Sequence, residues 1–172
     1  MSLAFSIVDR EPQPVISIQT RTSMRDLPEV ILQSLAKVGQ TLEGHGLQPD
    51  GPAFVAYYNL DMHDMQVEIG FPVAKADLRD GEVQLRIIPG GPAGICEYIG
   101  PYQELATVYQ QLSAYVESQG REPTGISYEF YLNDPSGTPP NELETHIVFP
   151  LVQSATSIVG RPPGNGRIHT LF

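Results

Sequence analysis

The stretch Ile126 to Pro135, ISYEFYLNDP, decides how the chain is read, because it sets a carboxylate, Glu129, inside a run of apolar and aromatic residues. Side chains alternate along an extended strand, so Glu129 shares a face with Ser127 and Tyr131, while Ile126, Tyr128, Phe130 and Leu132 share the other. One face reads as core and the other as a polar, aromatic site. A solvated glutamate on the outer face of a half-exposed sheet explains the stretch equally well, so the residues around it must decide.

Working outward, Glu144 to Leu151 (ETHIVFPL) reads as the next strand. Upstream, Leu105, Val108, Leu112 and Val116 recur at helical spacing up to Gly120, preceded by strands at Val83 to Ile88 and Gly94 to Ile99. Pro89 to Gly94, with two prolines that lack N–H donors, reads as a turn and not as a phosphate cradle. The same order occurs earlier in the chain. Strands at Ala4 to Val8 and Val15 to Thr20 are separated by Glu11 to Pro14. A helix follows, capped by Ser23 or Asp26, with Pro28 in its first turn and a stripe of Ile31, Leu35, Val38 and Leu42. Strands at Pro52 to Tyr58 and Met65 to Val73 complete that half, and a polar linker spans Lys75 to Gly81.

The halves align. VEIGFPV at 67–73 falls on THIVFPL at 145–151, and GPAFVAYY at 51–58 falls on GISYEFYL at 125–132, which sets Val55 against Glu129 and Tyr57 against Tyr131. The expectation is an α+β fold of duplicated strand-helix-strand-strand modules, about 3–74 and 82–152. They are related by a pseudo-two-fold axis, in one antiparallel sheet with both helices on one face and with Pro72 and Pro150 ending equivalent strands.

Four pieces in order, EYIGPY at 97–102, a helix containing Tyr109, YEFYLNDP at 128–135 and ETHIVFPL at 144–151, resemble the GyrI-like small-molecule-binding family, the AraC-type effector-binding domain of bacterial transcription activators. The resemblance covers about residues 3–152. It implies an aromatic groove between two modules and a glutamate, here Glu129 with Tyr131 two residues on, facing lipophilic and often cationic compounds.

Elementary physics supports the same arrangement. A carboxylate in an apolar cleft is favoured when protonated or when it meets a cation, and aromatic faces add about 0.5 to 2 kcal/mol per good cation–π contact. The ligand-binding residues expected are Glu129, Tyr131, Tyr57, Tyr102 and, more weakly, Glu97, which Cys96 would turn toward the groove by facing the helices itself. Half-buried packing accounts for each tyrosine as readily as a ligand does.

Composition removes other classes. Twenty acidic against ten basic residues give a net charge of −10, which repels nucleic acid and acidic lipid, and no apolar run reaches the length of a membrane span. A lone Cys96 and no leader pattern make a folded cytoplasmic domain the expectation. His45, His63, His146 and His169 lack metal-ligand spacing, so no metal or cofactor is expected, and no nucleophile elbow is present.

Three functions follow. The leading one is a binding protein for lipophilic cations, in toxin or drug sensing or sequestration. The resemblance also implies a hydrolase of strained xenobiotics, with Glu129 steering water or a proton; the absence of tryptophan lowers that reading. The third is a gyrase-inhibitor-like protein-binding module. No helix-turn-helix pattern precedes the first strand, so action on DNA is expected to need a separate partner. The Pro/Gly-rich tail, 153–172, lies outside the resemblance; its last six residues join basic or titratable groups to apolar ones. They suggest a segment docking on an acidic, apolar surface in imitation of a ligand, with lattice packing the plainer alternative.

Overall fold

The structure, a computed structural model, describes residues 2–74 and 77–153. The tail proposed to dock on the groove lies outside these residues, apart from Gln153. Among the described residues nine strands and two α-helices form: β1 (Ser2–Arg10), β2 (Gln13–Thr22), α1 (Leu27–Gly44), β3 (Ala53–Tyr57), β4 (Met65–Pro72), β5 (Arg79–Asp80), β6 (Val83–Ile88), β7 (Gly91–Ile99), α2 (Leu105–Ser118), β8 (Ser127–Tyr131) and β9 (Glu144–Pro150). All pair antiparallel in one sheet, in the order β1-β7-β9-β8-β3-β4-β2-β6-β5.

That order is symmetric about the β3–β8 seam, apart from the extra edge strand β5, and is consistent with the repeat in the sequence. At the seam Val55 pairs directly with Glu129, so the two positions that align in the repeat are cross-strand neighbours. Pro72 and Pro150 end β4 and β9.

Both helices cover the same face. Cross-strand pairing runs Phe5, Cys96, Ile147, Glu129, Val55, Ile69 and Ile18 in one row across the sheet. Over one end of the row α1 packs Val38 and Leu42 on Ile16 and Ile18; over the other, α2 packs Val108, Leu112 and Val116 on Cys96 and Ile147. Each such buried aliphatic side chain contributes about 1.5 to 3 kcal/mol of transfer free energy. Gly94 lets α2 approach this closely, since a Cβ there would stand 2.6 Å from Val116 Cγ2. The helices end alike: Leu47 N–H donates to Leu42 and Arg121 N–H to Val116, with Gly46 and Gly120 at φ 69° and 71° making the left-handed turn that side chains disfavour.

The opposite face curls inward. β6 and β7 lie six strands apart, about 29 Å in a flat sheet, yet only Pro89 and Gly90 separate Ile88 from Gly91, a span of at most about 11 Å. The sheet therefore bends into an open half-barrel, and Ile88 and Ala93 meet inside it with Val15, Phe54, Tyr128, Phe130 and Val148.

Several local expectations change. The Gly91 to Ala93 part of the expected turn is strand, because β1 runs on to Arg10 and pairs with it. β2 starts at Gln13, within the expected break, and the linker contains β5. Asp26 stands at the α1 N-cap without a side-chain cap bond; Ser23 Oγ instead accepts the Asp26 N–H at 3.2 Å. On α1, Ser34 is buried while Ile31 and Leu35 stay half-buried, because they face the gap between the helices.

Candidate functional site: a carboxylate beneath tyrosines

In the middle of the helix face, where neither helix sits directly on the sheet, β8 presents Glu129. Its side chain is nearly enclosed, 7% exposed, and both oxygens are occupied: the Tyr109 hydroxyl donates to Oε2 at 2.5 Å and the Tyr131 hydroxyl to Oε1 at 2.7 Å. Tyr131 follows two residues on along the same strand. Tyr109 reaches over from α2, its ring 5.6 Å from Phe149. From the other half, Tyr57 on β3 sits on the same face, and with Tyr131 it joins Ile31 and Leu35 of α1 around Val55 and Ile69. Tyr102, in the 3₁₀ turn before α2, meets Tyr131 edge-on at 6.0 Å.

No cation faces the carboxylate among the described residues. Burial pushes the Glu129 carboxyl above its ordinary range, and the hydrogen bonds from Tyr109 and Tyr131 only partly oppose that. The surrounding phenols move the same way. Burial and then the Glu129 charge raise Tyr57, Tyr109, Tyr131 and Tyr102, so these hydroxyls stay protonated donors at any physiological pH. Beside the site, Thr145 pairs across the sheet with Tyr131, and its buried hydroxyl has no hydrogen-bond partner.

Four of the five expected residues, Glu129, Tyr131, Tyr57 and Tyr102, thus lie together. Glu97 does not join them. Cys96 does face the helices, but so does Glu129, and the alternation of β7 turns Glu97 to the other side of the sheet. There it is exposed, 3.7 Å from His146. Tyr109 was missed as a site residue. Its signal was its place one residue after Val108, at the flank of the α2 stripe, where a side chain reaches past the core toward the neighbouring strand.

A second buried carboxylate, Glu68 on β4, was also missed, although VEI repeats the pattern of a charge between apolar residues. It lies on the concave face, 3% exposed, accepting from Ser17 Oγ at 2.6 Å, from the Tyr58 hydroxyl and from Gln19 at 3.5 Å. Arg86 completes the group through the Ser17 carbonyl at 2.5 Å and the Ser17 hydroxyl at 3.2 Å. An open cleft of about 500 Å³ also lies on this concave face, at its opposite end, and not at Glu129.

No group of three or more His, Cys, Asp or Glu among the described residues is placed to hold a metal ion, and no described helix is long and apolar enough to cross a membrane. The fold is a curled antiparallel sheet with both helices on one face and a tyrosine-capped carboxylate between them. Residues 3–152 match the GyrI-like small molecule binding domain, and the chain belongs to that family.

No curated protein sequence matches the chain. Among solved structures, the EcmrR C-terminal domain is similar at a TM-score of 0.77 and 22% identity, covering 90% of this chain and all of that one. In a cryo-EM complex of EcmrR with DNA, the similarity spans 88% of this chain but only 58% of the EcmrR chain, at a TM-score of 0.74 and 21% identity. A protein from Listeria innocua described as a hydrolase matches at a TM-score of 0.63 and 14% identity, over 86% and 91% of the two chains. SAV2435, seen bound to tetraphenylphosphonium, matches at 0.57 and 12%, over 87% and 94%. At these identities the likenesses establish the fold.

Proposed function

We infer that the protein binds lipophilic cations between its two helices, with Glu129 as counter-charge and Tyr57, Tyr102, Tyr109 and Tyr131 as the aromatic wall. The observation that carries this reading is a nearly enclosed carboxylate with phenols on both oxygens and no cation facing it among the described residues. Its burial is costly, and a delocalised cation offsets that cost without needing a free lone pair, because Coulomb attraction in a low-dielectric site is not directional. The tyrosine rings that now fill the gap part to admit the ligand and then stack on it. SAV2435 with its bound tetraphenylphosphonium supports the ligand class.

Hydrolysis is the second reading, and the hydrolase description of the Listeria innocua neighbour favours it. It is weaker on geometry, since a water to be activated must displace a phenol from Glu129. The DNA complex of EcmrR supports an intracellular regulatory setting, in which a module of this kind reports on ligand to a DNA-binding partner.

Calorimetric titration with tetraphenylphosphonium and with neutral tetraphenylmethane derivatives of similar size tests the first reading. Glu129→Gln is expected to weaken the cation by on the order of 1 to 3 kcal/mol, roughly fivefold to 150-fold, and to leave the neutral compound nearly unchanged. Equal losses for both would reject a charge role.

A further inference from the structure

The two ends of the concave face are built from equivalent positions and have opposite characters. Position for position in the repeat and in the strand register, Glu68, Tyr58 and Ser17 correspond to His146, Leu132 and Ile95. At the first end the trio knits itself shut around the Glu68 carboxylate. At the second, His146, Leu132 and Ile95 line the open cleft of about 500 Å³.

Arg10 enters this cleft from the end of β1, its guanidinium 5.3 Å above the centroid of Phe130. No carboxylate lies within ion-pair distance of it among the described residues, in a chain where acids outnumber bases two to one. The other charges at the cleft are accounted for. His146 Nε2 is 2.9 Å from Glu144 and 3.7 Å from Glu97, and Asp50 is exposed at the mouth. Burial lowers the Arg10 pKa, and Tyr128 opposes that only in part.

We propose that the cleft between Arg10, Phe130, Ile95 and Leu132 is a second ligand site, separate from the Glu129 site, and that it takes a small organic anion with a flat apolar body. The fork of Arg10 pairs bidentately with the carboxylate, as guanidinium does with planar oxyanions. Phe130, Ile95 and Val148 cover the body, and the volume fits a one- or two-ring compound. The two faces of the sheet then hold ligands of opposite charge.

The test uses 1-naphthoate and its uncharged analogue 1-naphthamide, titrated calorimetrically into the full chain. Wild type is expected to bind the naphthoate at least tenfold more tightly than the amide. Arg10→Gln abolishes that preference, Arg10→Lys restores part of it, and Glu129→Gln leaves it unchanged. Because the chain has no tryptophan, Leu132→Trp at the exposed rim adds a single fluorophore whose emission changes on saturation with naphthoate. This readout stands even if the Arg10 variants do not fold. Absence of naphthoate binding, equal affinity for acid and amide, or a preference that follows Glu129 and not Arg10 would each overturn the proposal. Loss of tetraphenylphosphonium binding in Glu129→Gln, with naphthoate retained, separates this site from the cation reading.

Discussion

Glu129 and Glu68 are the same residue at nearly the same depth on opposite faces of one sheet, and they are held in different ways. Glu68 takes its donors from the two neighbouring strands, Ser17 and Gln19 on β2 and Tyr58 just past β3, with Arg86 of β6 bonded in turn to Ser17. Glu129 receives two phenols, one of them from its own strand and the other from a helix. The first arrangement closes one end of the half-barrel. The second leaves a carboxylate beneath aromatic rings that belong to two halves of the chain and pack across a gap. The Glu68 charge is held from within the sheet, whereas Glu129 is roofed by aromatic side chains, one of them from a helix.

Glu68→Leu strands the Ser17 and Tyr58 hydroxyls and the Gln19 amide, so it should cost on the order of 3 kcal/mol in urea unfolding, while tetraphenylphosphonium affinity stays within twofold of wild type. A large affinity loss would show that the two faces communicate.

Tyr109→Phe removes one donor from Glu129 and should cost about 1 kcal/mol of stability. It also removes an interaction that favours the charged form, so the Glu129 carboxyl should titrate higher still, measurable by carboxyl-region NMR. A carboxyl that titrated lower instead would assign Tyr109 a different partner.

The smallest effect is a pH dependence. With its folded-state pKa raised above the unfolded value of 4.5, Glu129 retains its proton in the native state over a window in which the unfolded chain has lost it. Its contribution favours folding below that window and is lost as pH rises through the folded pKa. Glu129→Gln should therefore melt higher than wild type at neutral pH and lose the advantage below about pH 4.5. An unchanged difference across that range would contradict a raised pKa.

Much of this was legible in order along the chain. The period-two runs and the aligned halves set the antiparallel sheet, both helices and their common face, because alternation and helical periodicity are local and each apolar stripe demands a partner surface. Glu129 stood out as a carboxylate in an apolar run. Glu68 carried the same signal and went unread, since a charge in one strand does not say whether neighbouring strands bring donors to it.

What the sequence determined by itself was therefore the elements, their order, and which residues share a face within each strand: Glu129 with Tyr131, Cys96 opposite Glu97. Tertiary structure decided which face of one strand meets which face of the next. That register carried Glu97 away from Glu129, brought Tyr109 onto it from α2, and bent the sheet until Arg10 lay over Phe130. These contacts join residues tens of positions apart through pairing and packing. They depend on the summed geometry of many strands, and no local period in the chain encodes that sum.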